Sequence, residues 1–291
     1  MTRLTRFAGL AAMVAAAAIA AGATATSARA DQWQKTYQIS GRANLAVATG
    51  DGDVTIASGG GKQIIAKVTT QGWKIGPNDI QIVESQSGDQ VSIELKFPHW
   101  NWTWGGLHNK SVHVDLQVPS DLDANIRTGD GNIEAQHIGG NLEFNTGDGN
   151  ITAAGVKGAT RLRTGDGNVT GQDFDGTLEA SSGDGNLSLR GRFDAINVKS
   201  GDGNIDIEAG AGSKVAQTWS VQSGDGHITL RVPPNLQADL EARTGDGSVT
   251  LDIPVQVSGS LSHSSVSGKM NGGGGEISLH SGDGSIHLEK I

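Results

Sequence analysis

The chain has 291 residues, a formal charge of −9, 44 glycines and no cysteine. A net-negative surface attracts neither nucleic acid nor anionic lipid headgroups, so neither is expected as a partner. Without cysteine, stability has to come from a packed core and backbone ladders rather than from disulfides.

Arg3 and Arg6 precede an apolar, alanine-rich run from Phe7 to Ala21, and Ala28-Arg29-Ala30 is a small-x-small cleavage pattern. Residues 1–30 therefore read as a secretory signal peptide, because the run is short for a bilayer span of about 20 residues. The expected product begins at Asp31, is exported to the periplasm or the cell surface, and has no membrane insertion after cleavage. Removing the segment takes away three arginines and no acid, which leaves 19 basic against 31 acidic residues and a net charge of −12.

Residues 31–118 read as irregular β-structure. Thr36–Ile39, Asn44–Ala48, Asp53–Ala57 and Gln63–Thr69 are strand-like, with an early turn at Thr49-Gly50-Asp51-Gly52. Ile80–Glu84, Val91–Phe97 and Val112–Val118 alternate apolar and polar side chains, as half-buried strands do. Between the last two lies an insert, residues 98–108, containing His99, Trp100, Trp102, Trp104 and His108. The three tryptophans alternate, so on extended chain they share one face. Two roles stay open for them: capping the end of a core, or presenting an aromatic platform to a sugar or a protein. Trp33, Trp73 and Trp219 stand alone and are expected to serve packing.

Residues 119–291 are organised by a repeat. Thr-Gly-Asp-Gly-Asn or Ser-Gly-Asp-Gly-Asn recurs with its aspartate at 130, 148, 166, 184 and 202, an unbroken period of 18. Looser copies centre on Asp51, Asp225, Asp246 and Asp283. Aligned on the aspartates, apolar residues fall into columns: Ile133, Ile151, Val169, Leu187 and Ile205 after the turn, Leu142, Leu178 and Ile196 before it. Spacing by two within each repeat marks strands, and no stretch has room for a helix. A third inward position runs through Ile138, Val156 and Phe174, with Arg192 next in line and Phe193 beside it.

Two architectures suit such a pattern. In a solenoid each repeat is one coil stacked at about 4.8 Å on the next. In an antiparallel meander each repeat is a hairpin, for which Asp-Gly is a strong signal. Constant length favours the solenoid, since stacked coils must match where hairpin loops can drift. The Asn column at 132, 150, 168, 186 and 204 then forms a ladder of amides. The expected fold is all-β: a right-handed parallel β-helix or β-solenoid with coils of about 18 residues, its N-terminal part irregular and continuous with the rest. Beyond Asp202 the period breaks, and the last coil must either cap the stack or pair with something.

Val112-His113-Val114-Asp115-Leu116-Gln117-Val118-Pro119, followed by Asn125-Ile126-Arg127-Thr128-Gly129-Asp130-Gly131, resembles the bacterial "putative adhesin" family, domain of unknown function 4097. Leu230–Asn235 before Thr244-Gly245-Asp246-Gly247 fits the same pattern, as does Asn271–Gly274 before Ser281-Gly282-Asp283-Gly284. The likeness spans about residues 36–291 and implies a β-solenoid envelope protein with no catalytic residues to carry over.

Stacked aspartates at 130, 148, 166, 184 and 202 would repel by roughly 0.9 kcal/mol per pair even in water. Turn hydrogen bonds or splaying into solvent relieve this, and weak Ca²⁺ binding is the alternative, although the spacing differs from that of Ca²⁺-binding repeats. The flanking glycines are expected to supply positive φ. A phosphate cradle is disfavoured, since neither a lysine nor a helix follows. The eight histidines show no His-Glu-x-x-His spacing, and there is no Gly-x-Ser-x-Gly elbow. The reading is a non-catalytic exported scaffold without cofactor, binding a surface glycan or an envelope protein. Its competitor is a β-helix lyase or hydrolase acting on polysaccharide. That needs acids in unlike environments, whereas a repeated column makes them alike.

Overall fold

The computed structural model describes residues 30–59, 61–98, 110–258 and 262–291. Twenty-three strands join in one continuous sheet, and no helix occurs among the described residues. Alternation builds each strand. Asp121–Arg127 buries Leu122, Ala124 and Ile126 and turns the residues between them outward.

Through the repeat block the pairing is parallel and offset by 18 residues. Gly139–Asn145 lies between Asp121–Arg127 and Lys157–Arg163. Ile151–Ala154 lies between Ile133–Gln136 and the start of Val169–Ser182. Each coil is one rung, with a longer strand before the Gly-Asp-Gly corner and a shorter one after it, on two faces of the stack. The chain is therefore a solenoid rather than a meander. At the second corner Ile138, Val156, Phe174 and Phe193 are all buried. The register slips between Gly171 and Phe174 and recovers after Gly176, which places Phe193 rather than Arg192 inside.

Stack order departs from chain order at both ends. The corner at Asp51 joins Ala43–Ala48 to Asp53–Ser58, and these strands pair in parallel with Asp121–Arg127 and Ile133–Gln136. Outside them lies a rung made of Gln90–Lys96 and Ser111–Val118, although it comes later in the chain. At the other end the final strands, Gly275–Ser281 and Ile286–Lys290, neither cap nor trail. They slot between the Asp225 rung (Trp219–Ser223, Ile228–Val232) and the Asp246 rung (Ala238–Thr244, Val249–Leu251). The corners thus stack as 51, 130, 148, 166, 184, 202, 225, 283, 246.

Antiparallel strands finish both ends. Gln63–Gln71 pairs with Ser111–Val118 and carries Asp31–Gln38 on its far side, while Gln81–Ser87 pairs with Gln90–Lys96. At the far end Ser265–Met270 pairs with Ala238–Thr244 and with the short strand Gln256–Val257.

Candidate functional site

The corners repeat one set of contacts. From the Asp148 corner onward, the Thr or Ser hydroxyl donates to a glycine carbonyl of the neighbouring rung and accepts the amide of its own second glycine. Thr164 Oγ1 donates to Gly149 O at 2.8 Å and accepts from Gly167 N at 3.1 Å, and Ser182 does the same with Gly167 O at 2.8 Å and Gly185 N at 3.0 Å. The hydroxyl, rather than the aspartate, is the capping group. Asp130, Asp148, Asp166, Asp184 and Asp202 occupy the corner apices with exposed side chains, and none of the five makes a side-chain hydrogen bond among the described residues.

The glycines also serve differently from expectation. None of those flanking these five aspartates has positive φ. They are required by close approach: a Cβ on Gly167 would lie 2.0 Å from Gly149 O, and one on Gly185 would lie 1.9 Å from Gly167 O.

Beside the corners runs the amide ladder. Asn150 N donates to Asn132 Oδ1 at 2.9 Å, and the same 2.9 Å bond recurs from Asn168, Asn186 and Asn204. Asp53 Oδ1 starts the ladder by accepting from Asn132 N at 2.8 Å, and His227 N extends it onto Asn204 Oδ1 at 2.8 Å.

The hydroxyl column ends at Thr49, whose Oγ1 is buried without a hydrogen-bond partner. The outermost rung joins Gln90–Lys96 to Ser111–Val118 through a stretch whose sequence has no Gly-Asp-Gly. An unmet buried hydroxyl costs about 1–3 kcal/mol, whereas replacing it with a methyl group of the same shape removes that cost. Thr49→Val should therefore leave the urea midpoint unchanged or raise it. Thr164→Val removes a hydroxyl bonded to Gly147 O, Gly149 O and Gly167 N and should cost about 1–3 kcal/mol. Equal losses at both positions would contradict this difference.

His99, Trp100, Trp102 and Trp104 lie outside the described residues. The anchorage of their segment is described: Phe97 meets Trp73 edge-on at 6.2 Å, and Lys110 Nζ stands 3.8 Å above the Trp73 ring. Trp33 and Trp73 pack part-buried against the core, and Trp219 is fully buried.

A polar groove of about 580 Å³ crosses the face formed by the pre-corner strands, lined by Asp123, Asn125, Asn141, Glu143, Arg161 and Glu179 among others. Its side chains follow the rung register, Asn125, Glu143, Arg161, Glu179 and Asn197 forming one outward row. Glu179 accepts from Arg161 Nε at 2.8 Å and from Arg163 Nη2 at 2.7 Å. The Arg161 hydrogen bond, with that from Arg163, holds the Glu179 carboxyl below the usual range despite partial burial. Burial pushes Asp123 upward, but bonds from Asn141 and Arg42 outweigh it and leave that carboxyl low as well. The sequence reading passed over this row. Its signal was the charged and amide residues alternating with the buried Leu142 and Leu178 columns.

No curated protein matches the sequence. Among solved structures, a "putative adhesin" from Parabacteroides merdae aligns with TM-score 0.50 at 13% identity, over 89% of this chain and 96% of that one. A "putative lipid binding protein" from Parabacteroides distasonis aligns with TM-score 0.45 at 14% identity, over 89% and 96%. A "putative adhesin" from Bacteroides fragilis gives 0.38 at 12% identity, over 89% and 97%. At 13% identity the first likeness speaks to fold alone. Residues 42–289, nearly the whole solenoid, match the Toastrack DUF4097 family, and the chain belongs to that family.

Proposed function

We propose that the protein is a non-catalytic, exported, adhesin-like scaffold of the cell envelope that holds a surface glycan in its polar groove. The observation that carries this reading is the row of hydrogen-bonding side chains repeating at every rung along an open groove of about 580 Å³. An extended polymer can meet such a row at several successive positions. A non-catalytic role is favoured by the acids themselves. In the groove itself, hydrogen bonds from Arg161 and Arg163 hold Glu179 low, and bonds from Asn141 and Arg42 do the same for Asp123. A general acid on a glycan needs a carboxyl that moves up.

Affinity electrophoresis of the exported chain through purified envelope polysaccharide tests the reading. Arg161→Ala should weaken retention by about 10-fold, the equivalent of one charge-assisted hydrogen bond. Its melting temperature should change little, because exposed ion pairs contribute only about 0–1 kcal/mol. No retention of the wild type would overturn the glycan reading in favour of a protein partner. Shortening of the polysaccharide would overturn the non-catalytic one.

A further inference from the structure

The two ends of the stack are finished differently. At the end bearing the outermost rung, Tyr37, Ile39, Ile64, Ala66, Val68 and Ile80 are all buried. They come from Asp31–Gln38, Gln63–Gln71 and the adjoining loops, which give this end of the core an apolar lid. At the opposite end the described residues form no such lid. Val249, Leu251, Ile253 and Val255 are only part-buried against the core, and Val257 is 43% exposed. With Val266 they line a groove of about 580 Å³ whose described lining residues include no carboxylate, lysine or arginine. A contiguous apolar groove at an exposed end is the kind of surface that marks an interaction site.

We propose that this groove receives residues 99–108 of a second copy, so that chains associate head to tail. The segment supplies the matching chemistry, since Trp100, Trp102 and Trp104 alternate and on extended chain present three indoles to one side. Its attachment decides between its own groove and a neighbour's. It leaves from Pro98 and returns at Lys110, both at the closed end of the stack. The opposite end is nine rung spacings away, roughly 43 Å at about 4.8 Å each. Twelve residue steps, out and back, reach at most roughly 20 Å. The groove of the same chain is out of reach, and the groove of another is not. Such a contact joins two different surfaces, so it leaves one free end of each kind and propagates.

Sedimentation velocity of the exported chain over a dilution series tests this. The wild type should associate as concentration rises. The triple variant Trp100→Ala, Trp102→Ala, Trp104→Ala should weaken association by at least about 30-fold, as loss of aromatic anchors does. Val257→Asp, at the exposed rim of the groove, should do the same, and both variants should keep the wild-type melting temperature. Mixed together, the two retain one sound end each and should form heterodimers and nothing larger. A wild type that stays monomeric throughout would overturn the proposal. So would a triple variant that melts earlier yet still associates, which would make the tryptophans a cap on their own chain. Stoichiometric binding of laurate by a non-associating monomer, abolished by Val257→Asp, would assign the groove to an acyl chain instead.

Discussion

Replacing Gly167 by alanine should lower the unfolding free energy by about 3 kcal/mol, the upper end of what overpacking costs. The added Cβ would stand 2.0 Å from Gly149 O, a backbone atom that cannot swing aside as a side-chain tip would. Relief requires parting the rungs, which stretches Gly165 N to Gly147 O at 2.5 Å and the Asn168 to Asn150 bond at 2.9 Å beside it. Gly165→Ala should cost less, since its Cβ would meet Gly147 O at 2.6 Å. Asp166→Ala should stay within about 0.5 kcal/mol, as exposed positions without partners do. The measurement is the urea midpoint of each variant at unchanged slope. Equal tolerance of all three changes would mean that rung contact is not what demands glycine here.

The difference between Gly167 and Asp166 also marks how far the sequence could be read. A period of 18 with apolar columns points to stacked coils, because only equal lengths keep Ile133, Ile151 and Val169 in one line. The Asn ladder follows from the same equality. What the glycines do was not legible, because a glycine in a turn suggests positive φ, a property of its own backbone. The actual constraint is a carbonyl 18 residues earlier, visible only once the rungs are in place. The capping role went to Thr and Ser for the same reason, since their acceptor belongs to the neighbouring rung. Local turn rules favour Asp, and rung contacts overrule them.

Stack order was hidden for a different reason. Every Gly-Asp-Gly corner offers nearly the same carbonyls and hydroxyls, so the repeat alone does not say which corner sits on which. Gly245 N donates to Gly282 O at 2.7 Å and Gly282 N to Gly224 O at 2.7 Å, although Asp246 precedes Asp283 in the chain. The cause lies in the irregular pieces. Pro233-Pro234-Asn235 carries the chain past one rung, and Asn271 fixes the return by donating to Pro234 O at 3.0 Å and Leu236 O at 2.8 Å. The first complete coil is likewise covered by a later one. Both end coils are thereby flanked on each side, and the open edges that solenoids must protect are moved onto short antiparallel strands.

Trp219→Ala should cost about 3–5 kcal/mol, as truncation of a buried aromatic does. Its side chain is fully buried, its ring nitrogen donates to Asp194 O at 3.4 Å, and its backbone pairs with Ile277 of the inserted final coil. The loss should be local in the stack, because each rung touches only its neighbours and stability adds up rung by rung. The Asp225, Asp283 and Asp246 rungs should nonetheless fail together. The Asp283 rung cannot leave without stripping the Asp246 rung of its one parallel partner strand on each face, and it cannot stay if the Asp225 rung loosens. Hydrogen exchange on the variant should therefore show protection lost across residues 219–290 as one unit, while 121–207 remains protected. Loss confined to Trp219–Val232, with Gly275–Lys290 still protected, would contradict the inserted order. Simultaneous loss across both regions would mean that the 18-residue block does not hold on its own.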